Sequence, residues 1–252
     1  MQPEAKKPLI SLSGIYTAYE GDHAPVIRGL SLEIHKGEFI MVGGPNGAGK
    51  TTLLESINGL LKITHGHATV CGLDVRNKGH EVRKRVGYVI QNFTFDPLTP
   101  FSVKEVVMMG RYGKMGFFRR PSAEDQQAVE RAIGMMGIKE LEDRPIGILS
   151  GGQQQKVLIA QNIARDPEIM LLDEPFSNLD FLSREFVMDI LEKLAESGIA
   201  IVLVSHAFDD LPDRDIRLVV MKDGDICFDR TCPSEHVEAT VREASTPGAI
   251  HA

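Results

Sequence analysis

The chain has 252 residues, enough for one large α/β domain or two small ones, and its 42% hydrophobic and 25% charged residues are an ordinary globular composition. A net charge of −7 argues against a nonspecific grip on nucleic acid or anionic lipid, and three scattered cysteines, Cys71, Cys227 and Cys232, exclude a disulfide framework or a zinc site and suit a reducing compartment. Residues 1–8 are polar and no run approaches the roughly 20 apolar residues that cross a bilayer, so no secretory signal is expected and work at a membrane would need another protein to span it.

In chain order, 11–19, 26–35 and 38–43 are predicted strands, with turns at Glu20-Gly21-Asp22 and Lys36-Gly37. They predict a small antiparallel β layer near the start. Residues 51–60 carry Leu53, Leu54, Ile57 and Leu60 at helical spacing. Short strands follow at 67–71 and 85–90. His65, in a predicted turn, and His67, at a strand start, lie near Cys71 but read as structure rather than as a metal site. From 103 to about 141 the chain is helix-rich, broken by Gly110, Gly113, Gly116 and Pro121. A loop at 143–148 opens at Ser150 into a helix ending near Arg165. Residues 169–173 form a buried strand, 182–196 a helix and 199–204 a second buried strand. A hairpin across Lys222-Asp223-Gly224 joins 218–221 to 225–229, and the tail after Val241 is predicted to fray. Apolar strands alternating with helices predict an α/β fold whose mostly parallel core sheet is covered on both faces. The helical stretch interrupts that alternation, as a subdomain of its own over about 92–165.

Gly44-Pro45-Asn46-Gly47-Ala48-Gly49-Lys50-Thr51 fits the P-loop pattern and stands between a predicted strand and a predicted helix. The glycines let backbone N–H groups close around phosphate oxygens, and the helix directs its positive end at the same anion. Lys50 supplies a compact charge for the β and γ phosphates, Thr51 a hydroxyl for Mg²⁺, and Thr52 extends the loop. The strand at 169–173 delivers Asp173 and Glu174 to its C-terminal end, the edge where open parallel sheets bind ligands. Successive strand side chains diverge, so the pair divides its work. Asp173 fits the Mg²⁺ shell, and Glu174 fits a base or an orienter for the attacking water. Ser150-Gly151-Gly152-Gln153, after Leu149, is a second helix end with a Ser cap and two glycine N–H groups, a second phosphate cradle that one nucleotide does not obviously need.

With that run, the chain over roughly 9–229 closely resembles the nucleotide-binding subunits of ATP-binding cassette (ABC) transporters, P-loop NTPases in which Ser150 to Gln153 is the signature. The resemblance implies that Tyr19 stacks on adenine, with Tyr16 as a competitor for that role. It makes Gln91 the Q-loop glutamine, a ligand of Mg²⁺, and Ser177-Asn178-Leu179-Asp180 the D-loop, with Asp180 near nucleotide. His206 becomes the switch histidine. Gln91, His206, Lys50 and Glu174 form the expected catalytic set, with ATP and Mg²⁺ as the ligands. It further implies a head-to-tail dimer in which Ser150 to Gln153 of one copy closes over ATP on the other.

Phe95-Asp96-Pro97-Leu98-Thr99-Pro100-Phe101, Gly110-Arg111-Tyr112-Gly113, Arg119-Arg120-Pro121 and Arg144-Pro145-Ile146-Gly147 sharpen the likeness toward manganese, zinc and iron importers. Asp173-Glu174-Pro175-Phe176 agrees with that group. It implies a multi-span permease as partner, a metal-binding receptor outside the membrane as an indirect one, no nucleic acid, and a peripheral position on the cytoplasmic face. Importers of iron-siderophore, haem or cobalamin share the Gly-Arg-Tyr segment and stay as the alternative, with a non-transport ABC ATPase as a third reading.

Overall fold

The computed structural model describes residues 7–19, 21, 24–91, 93–116, 119–206, 211 and 214–246. The predicted turn residues Glu20 and Asp22 and the tail beyond Thr246 lie outside them.

Two sheets organise the chain. The first, ordered β2-β1-β4-β5, is antiparallel and comprises β1 (Ile10–Thr17), β2 (Ile27–Ile34), β4 (Ile63–Val70) and the short β5 (Leu73–Asp74). This is the predicted β layer, with two corrections: the predicted strand at 38–43 is not part of it but pairs in parallel within the second sheet, and β4 starts at Ile63, so His65 is a strand residue and not a turn residue. It packs edge-on against Tyr16, with ring centroids 5.8 Å apart.

The second sheet, ordered β10-β9-β3-β8-β7-β6, holds β3 (Phe39–Gly43), β6 (Val86–Val89), β7 (Ile169–Asp173), β8 (Ala200–Val204), β9 (Asp215–Lys222) and β10 (Asp225–Pro233). All neighbours are parallel except the β9–β10 hairpin. Its strands alternate between two cores, as the period of two requires. Ile40, Val42, Ile169 and Leu171 face the antiparallel sheet, and α1 (Lys50–Ile57) is buried between the two sheets through Leu53, Leu54 and Ile57. Met41, Met170, Leu172 and Leu203 face the other core, which α3 (Val103–Met109), α5 (Ala123–Met135), α6 (Gly151–Ala164), α7 (Phe181–Glu196) and α8 (Val237–Ser245) build.

Two elements differ from expectation. Helix α2 (Val75–Arg83), capped by Asp74, buries just Val75 and Val82 and so carries no apolar period to read. The tail after Val241 does not fray at once. Val241 is buried on α8, against Gly43 at the end of β3, and the helix runs to Ser245.

Helices α3 to α6, including the short α4 (Tyr112–Met115), lie in the connection between β6 and β7. Arg111 fastens them. It is 5% exposed, its Nε donates to Asp125 Oδ1 at 2.8 Å, and its Nη1 donates to Ala164 O, at the end of α6, and to Asp166. The Gly110-Arg111-Tyr112 segment is thus a clamp between helices. The Ser122 N–H first, then the Arg111 guanidinium, hold the Asp125 carboxyl at about 2, below the ordinary 3.8. Its stabilisation is therefore full above the ordinary value and is lost as pH falls toward 2. Arg111→Met should cost about 3–5 kcal/mol at neutral pH, read by denaturant titration, and the deficit should narrow as pH approaches 2.

Candidate functional site

Because β3, β6, β7 and β8 are parallel, their C-terminal ends share one edge of the sheet. The residues just past those ends, Gly44, Gln91, Glu174 and His206, are therefore brought together from four separate parts of the sequence. Gln91, Glu174 and His206 line a cleft of about 260 Å³ together with Val26, Asn46, Gly47, Gly49, Lys50, Thr51, Thr52, Asp173 and Val204, and Gly44 starts the loop that carries Asn46, Gly47 and Gly49.

One wall is built for an anion. Helices α2, α3, α5, α6 and α7 each receive a side-chain cap, from Asp74, Ser102, Ser122, Ser150 and Asp180. Helices α1, α4 and α8 receive none, and of these it is the first turn of α1, after its N-cap Gly49 at φ 100°, that lines the cleft and leaves its N–H groups to a ligand. Gly44, at φ 132°, admits no side chain, since a Cβ would lie 2.2 Å from Met221 O, whereas a Cβ on Gly47 would project into open space. Lys50 is buried, and its Nζ donates to Gly44 O at 2.8 Å and to Pro45 O at 3.0 Å. Burial pushes its pKa down, opposed by Glu174 and Asp173.

The facing wall is acidic. Asp173 is 2% exposed and its Oδ2 accepts from Thr51 Oγ1 at 2.7 Å. Burial raises its pKa, against the Thr51 hydrogen bond and the Lys50 charge. A hydroxyl, a carboxylate and the nearby Gln91 amide are the oxygen donors that a hard divalent cation takes, so the residues present fit Mg²⁺ beside a phosphate. Glu174 occupies the left-handed region at φ 51°, sparsely populated for residues with a Cβ, and this turns its side chain away from that of Asp173. Its N–H donates to Val204 O at 2.9 Å. Glu174 Oε1 is buried without a hydrogen-bond partner among the described residues, and His206 Nε2 lies 3.4 Å away. Burial raises the Glu174 pKa, opposed chiefly by His206. A buried carboxylate oxygen left without a donor fits one that accepts from a bound water.

Tyr19 sits at the rim, its hydroxyl 2.8 Å from Glu55 Oε2 and 3.2 Å from Thr52 Oγ1, while Tyr16 lies in the antiparallel layer. Of the two aromatics, Tyr19 touches the helix that carries the phosphate-binding loop. Glu55 and Val26 were not anticipated. Glu55 was legible, being three residues after Thr52 on one helical face, whereas Val26 reaches the cleft through tertiary packing.

Ser150 to Gln153 and Asp180 stand outside the cleft. Ser150 and Gln153 form a reciprocal cap, Gln153 N–H to Ser150 Oγ at 3.3 Å and Ser150 N–H to Gln153 Oε1 at 3.0 Å. Gly152 packs on Asn178. Asp180 caps α7, accepting from Ser183 N–H at 2.9 Å.

A parallel sheet with a glycine-rich anion cradle at its C-terminal edge and a buried acidic wall facing it defines a P-loop nucleotide hydrolase. The family profile described as "ABC transporter" matches residues 27–177, and the chain belongs to that family. It is 36% identical to the manganese transport system ATP-binding protein MntB of Bacillus subtilis, over 78% of this chain and 76% of the relative. It is 37% identical to the high-affinity zinc uptake system ATP-binding protein ZnuC of the same species, over 83% of this chain and 90% of the relative. Among solved structures it resembles the ATP-binding cassette MJ0796, a dimer bound to ADP and Pi after hydrolysis, with a TM-score of 0.75, 27% identity and coverage of 88% of this chain and 98% of that one. The chain is an ABC transporter ATPase that binds and hydrolyses ATP. Among the described residues, no helix is long and apolar enough to cross a membrane.

Proposed function

We propose that this ATPase works as a head-to-tail pair and drives import of a transition-metal ion through a separate permease, from the cytoplasmic face of the membrane. The observation that carries the reading is the split between two helix ends. The uncapped end of α1 lies inside the cleft beside Lys50, while the glycine-bearing end of α6 lies outside it. A second copy would supply what each end lacks, and the dimer seen for MJ0796 supports that arrangement.

In this reading Gly44 to Thr52 wrap the phosphates, Tyr19 carries the adenine, and Ser150 to Gln153 of the other copy close over the γ phosphate, with Asp180 at the seam. Thr51, Asp173 and Gln91 would hold Mg²⁺. Bound Mg²⁺ neutralises charge on the β and γ phosphate oxygens. Lys50 steadies the same oxygens by charge. Glu174 accepts a proton from the attacking water through Oε1, which makes no hydrogen bond among the described residues and has the His206 ring 3.4 Å away, and His206 contacts the γ phosphate from the next strand. Because the γ phosphate joins both copies, its loss releases them, which turns hydrolysis into movement.

Similarity to MntB, to ZnuC and, at 34% identity, to the chelated iron transport protein YfeB of Yersinia pestis supports a transition metal as the cargo class, with manganese, zinc and iron all within it. Docking is assigned to the segment after Gln91, where Phe93, Leu98 and Phe101 are 38%, 88% and 45% exposed. Phe95 instead packs on the core, so Leu98 is the cleaner probe. Leu98→Asp should leave the ATPase of the isolated subunit within about twofold and reduce metal uptake at least tenfold when assembled with its permease. Uptake at the normal rate in an assembled variant would refute the docking role.

A further inference from the structure

The exposed segment after Gln91 and the loop that precedes Ser150 run side by side. Val103 N–H donates to Arg144 O at 3.0 Å, Lys104 N–H to Glu142 O at 2.9 Å and Ile146 N–H to Phe101 O at 2.8 Å. Ser102 and Pro145 form an antiparallel bridge. Contact is tightest at Gly147, where a Cβ would lie 2.5 Å from Asp96 O and 2.6 Å from Pro97 O, closer than real side chains come.

Gln154 completes this contact. It lies in the first turn of α6, one residue past the Ser150–Gln153 cap, and is 6% exposed. Its Oε1 accepts from Phe95 N–H at 3.1 Å, and its Nε2 donates to Ile146 O at 3.2 Å and to Leu149 O at 3.3 Å. The partners fix the orientation of the amide, because a backbone N–H can face an oxygen alone and two carbonyls can face an NH₂ alone. A buried amide gives up such partners at the full cost of leaving them unsatisfied. Phe95 therefore cannot move away from α6 without breaking these bonds or drawing Leu149, and with it Ser150, along.

We infer that Gln154 is a positioning residue that ties the docking segment to the phosphate-facing end of α6, so that a push on residues 95–98 shifts Ser150 to Gly152. It does not line the cleft. The inference rests on the shared-site reading above.

The test uses the full chain without permease. Gln154→Leu keeps the volume and loses all three hydrogen bonds, and Gln154→Glu keeps the acceptor for Phe95 N–H but loses both donors. Calorimetry at protein concentrations too low for pairing should give MgATP Kd values within twofold of wild type for both. The protein concentration that gives half-maximal specific ATPase should rise about tenfold in each, at a temperature well below every variant's thermal midpoint. A concentration dependence equal to wild type in either variant would overturn the positioning role while leaving the shared site intact. Wild-type ATPase that does not depend on protein concentration would remove the shared site itself. Amide exchange serves if neither variant folds. In Glu174→Gln chain, MgATP should slow the Phe95 amide together with those of 151–153, and a Phe95 rate that ignores MgATP while 151–153 slow would overturn the inference.

Discussion

Glu174→Gln should lower kcat by about 10²–10⁴-fold, the range that positioned acid–base groups contribute, while the Kd for MgATP rises by no more than about threefold. The amide keeps the shape and the buried setting but cannot take a proton from water. Because burial raises the Glu174 pKa, the acid limb of the wild-type rate should lie above the ordinary glutamate value of about 4.3. Activity requires the carboxylate, so it falls as pH drops through that raised value. Stopped-flow release of phosphate across pH measures both effects. A variant that keeps a tenth or more of wild-type turnover would reassign the role of Glu174 from base to structural partner of His206.

Lys50→Ala and Ser150→Ala should separate the two helix ends. Lys50 offers a charge-assisted hydrogen bond inside the cleft, worth about 1.5–3 kcal/mol. Its loss should weaken ATP binding to the isolated subunit by about 10- to 150-fold and abolish hydrolysis. Ser150 lies outside the cleft, so Ser150→Ala should leave that affinity unchanged and reduce turnover. The substitution also removes the cap on Gln153 N–H, at about 1 kcal/mol, and a thermal midpoint lowered by a few degrees should accompany it. Calorimetry with each variant below the pairing concentration decides the matter. Equal losses of affinity would place Ser150 in the pocket of its own subunit.

The parts of this site that were legible in the sequence are those whose chemistry constrains consecutive residues. Gly44 to Thr51 must be a loop of glycines ahead of a lysine and a hydroxyl, and the all-buried strand at 169–173 announces its acidic end. Position along a parallel sheet then carries Gln91 and His206 to the same edge, which is why strand ends were informative for both. What was not legible depends on contacts between distant segments or on elements too short to show a period. Helix α2 buries two residues of nine. Val237, Val241 and Ala244 do form a stripe on α8, but the Ser-Thr-Pro-Gly run just downstream hid it. The extra length of β4, Ile63 to Gly66, holds one apolar residue, the buried Ile63, beside Thr64, His65 and Gly66, and is set by the pairing of Ile63 and His65 with Thr17 and Tyr16 of β1. Gln154 reads as one more polar residue of a glutamine run until Phe95 is seen above it.

The central claim is that one nucleotide is held by two copies of the chain, and the mass of Glu174→Gln protein in solution tests it most directly. Light scattering on a size-exclusion column should give the mass of one chain without nucleotide and with MgADP, and twice that mass with MgATP. Adding Ser150→Arg to the same chain should restore the single-chain mass with MgATP, because a bulky cation at that helix end blocks closure. A mass that MgATP leaves unchanged, under conditions where calorimetry shows the P-loop filled, would contradict the account.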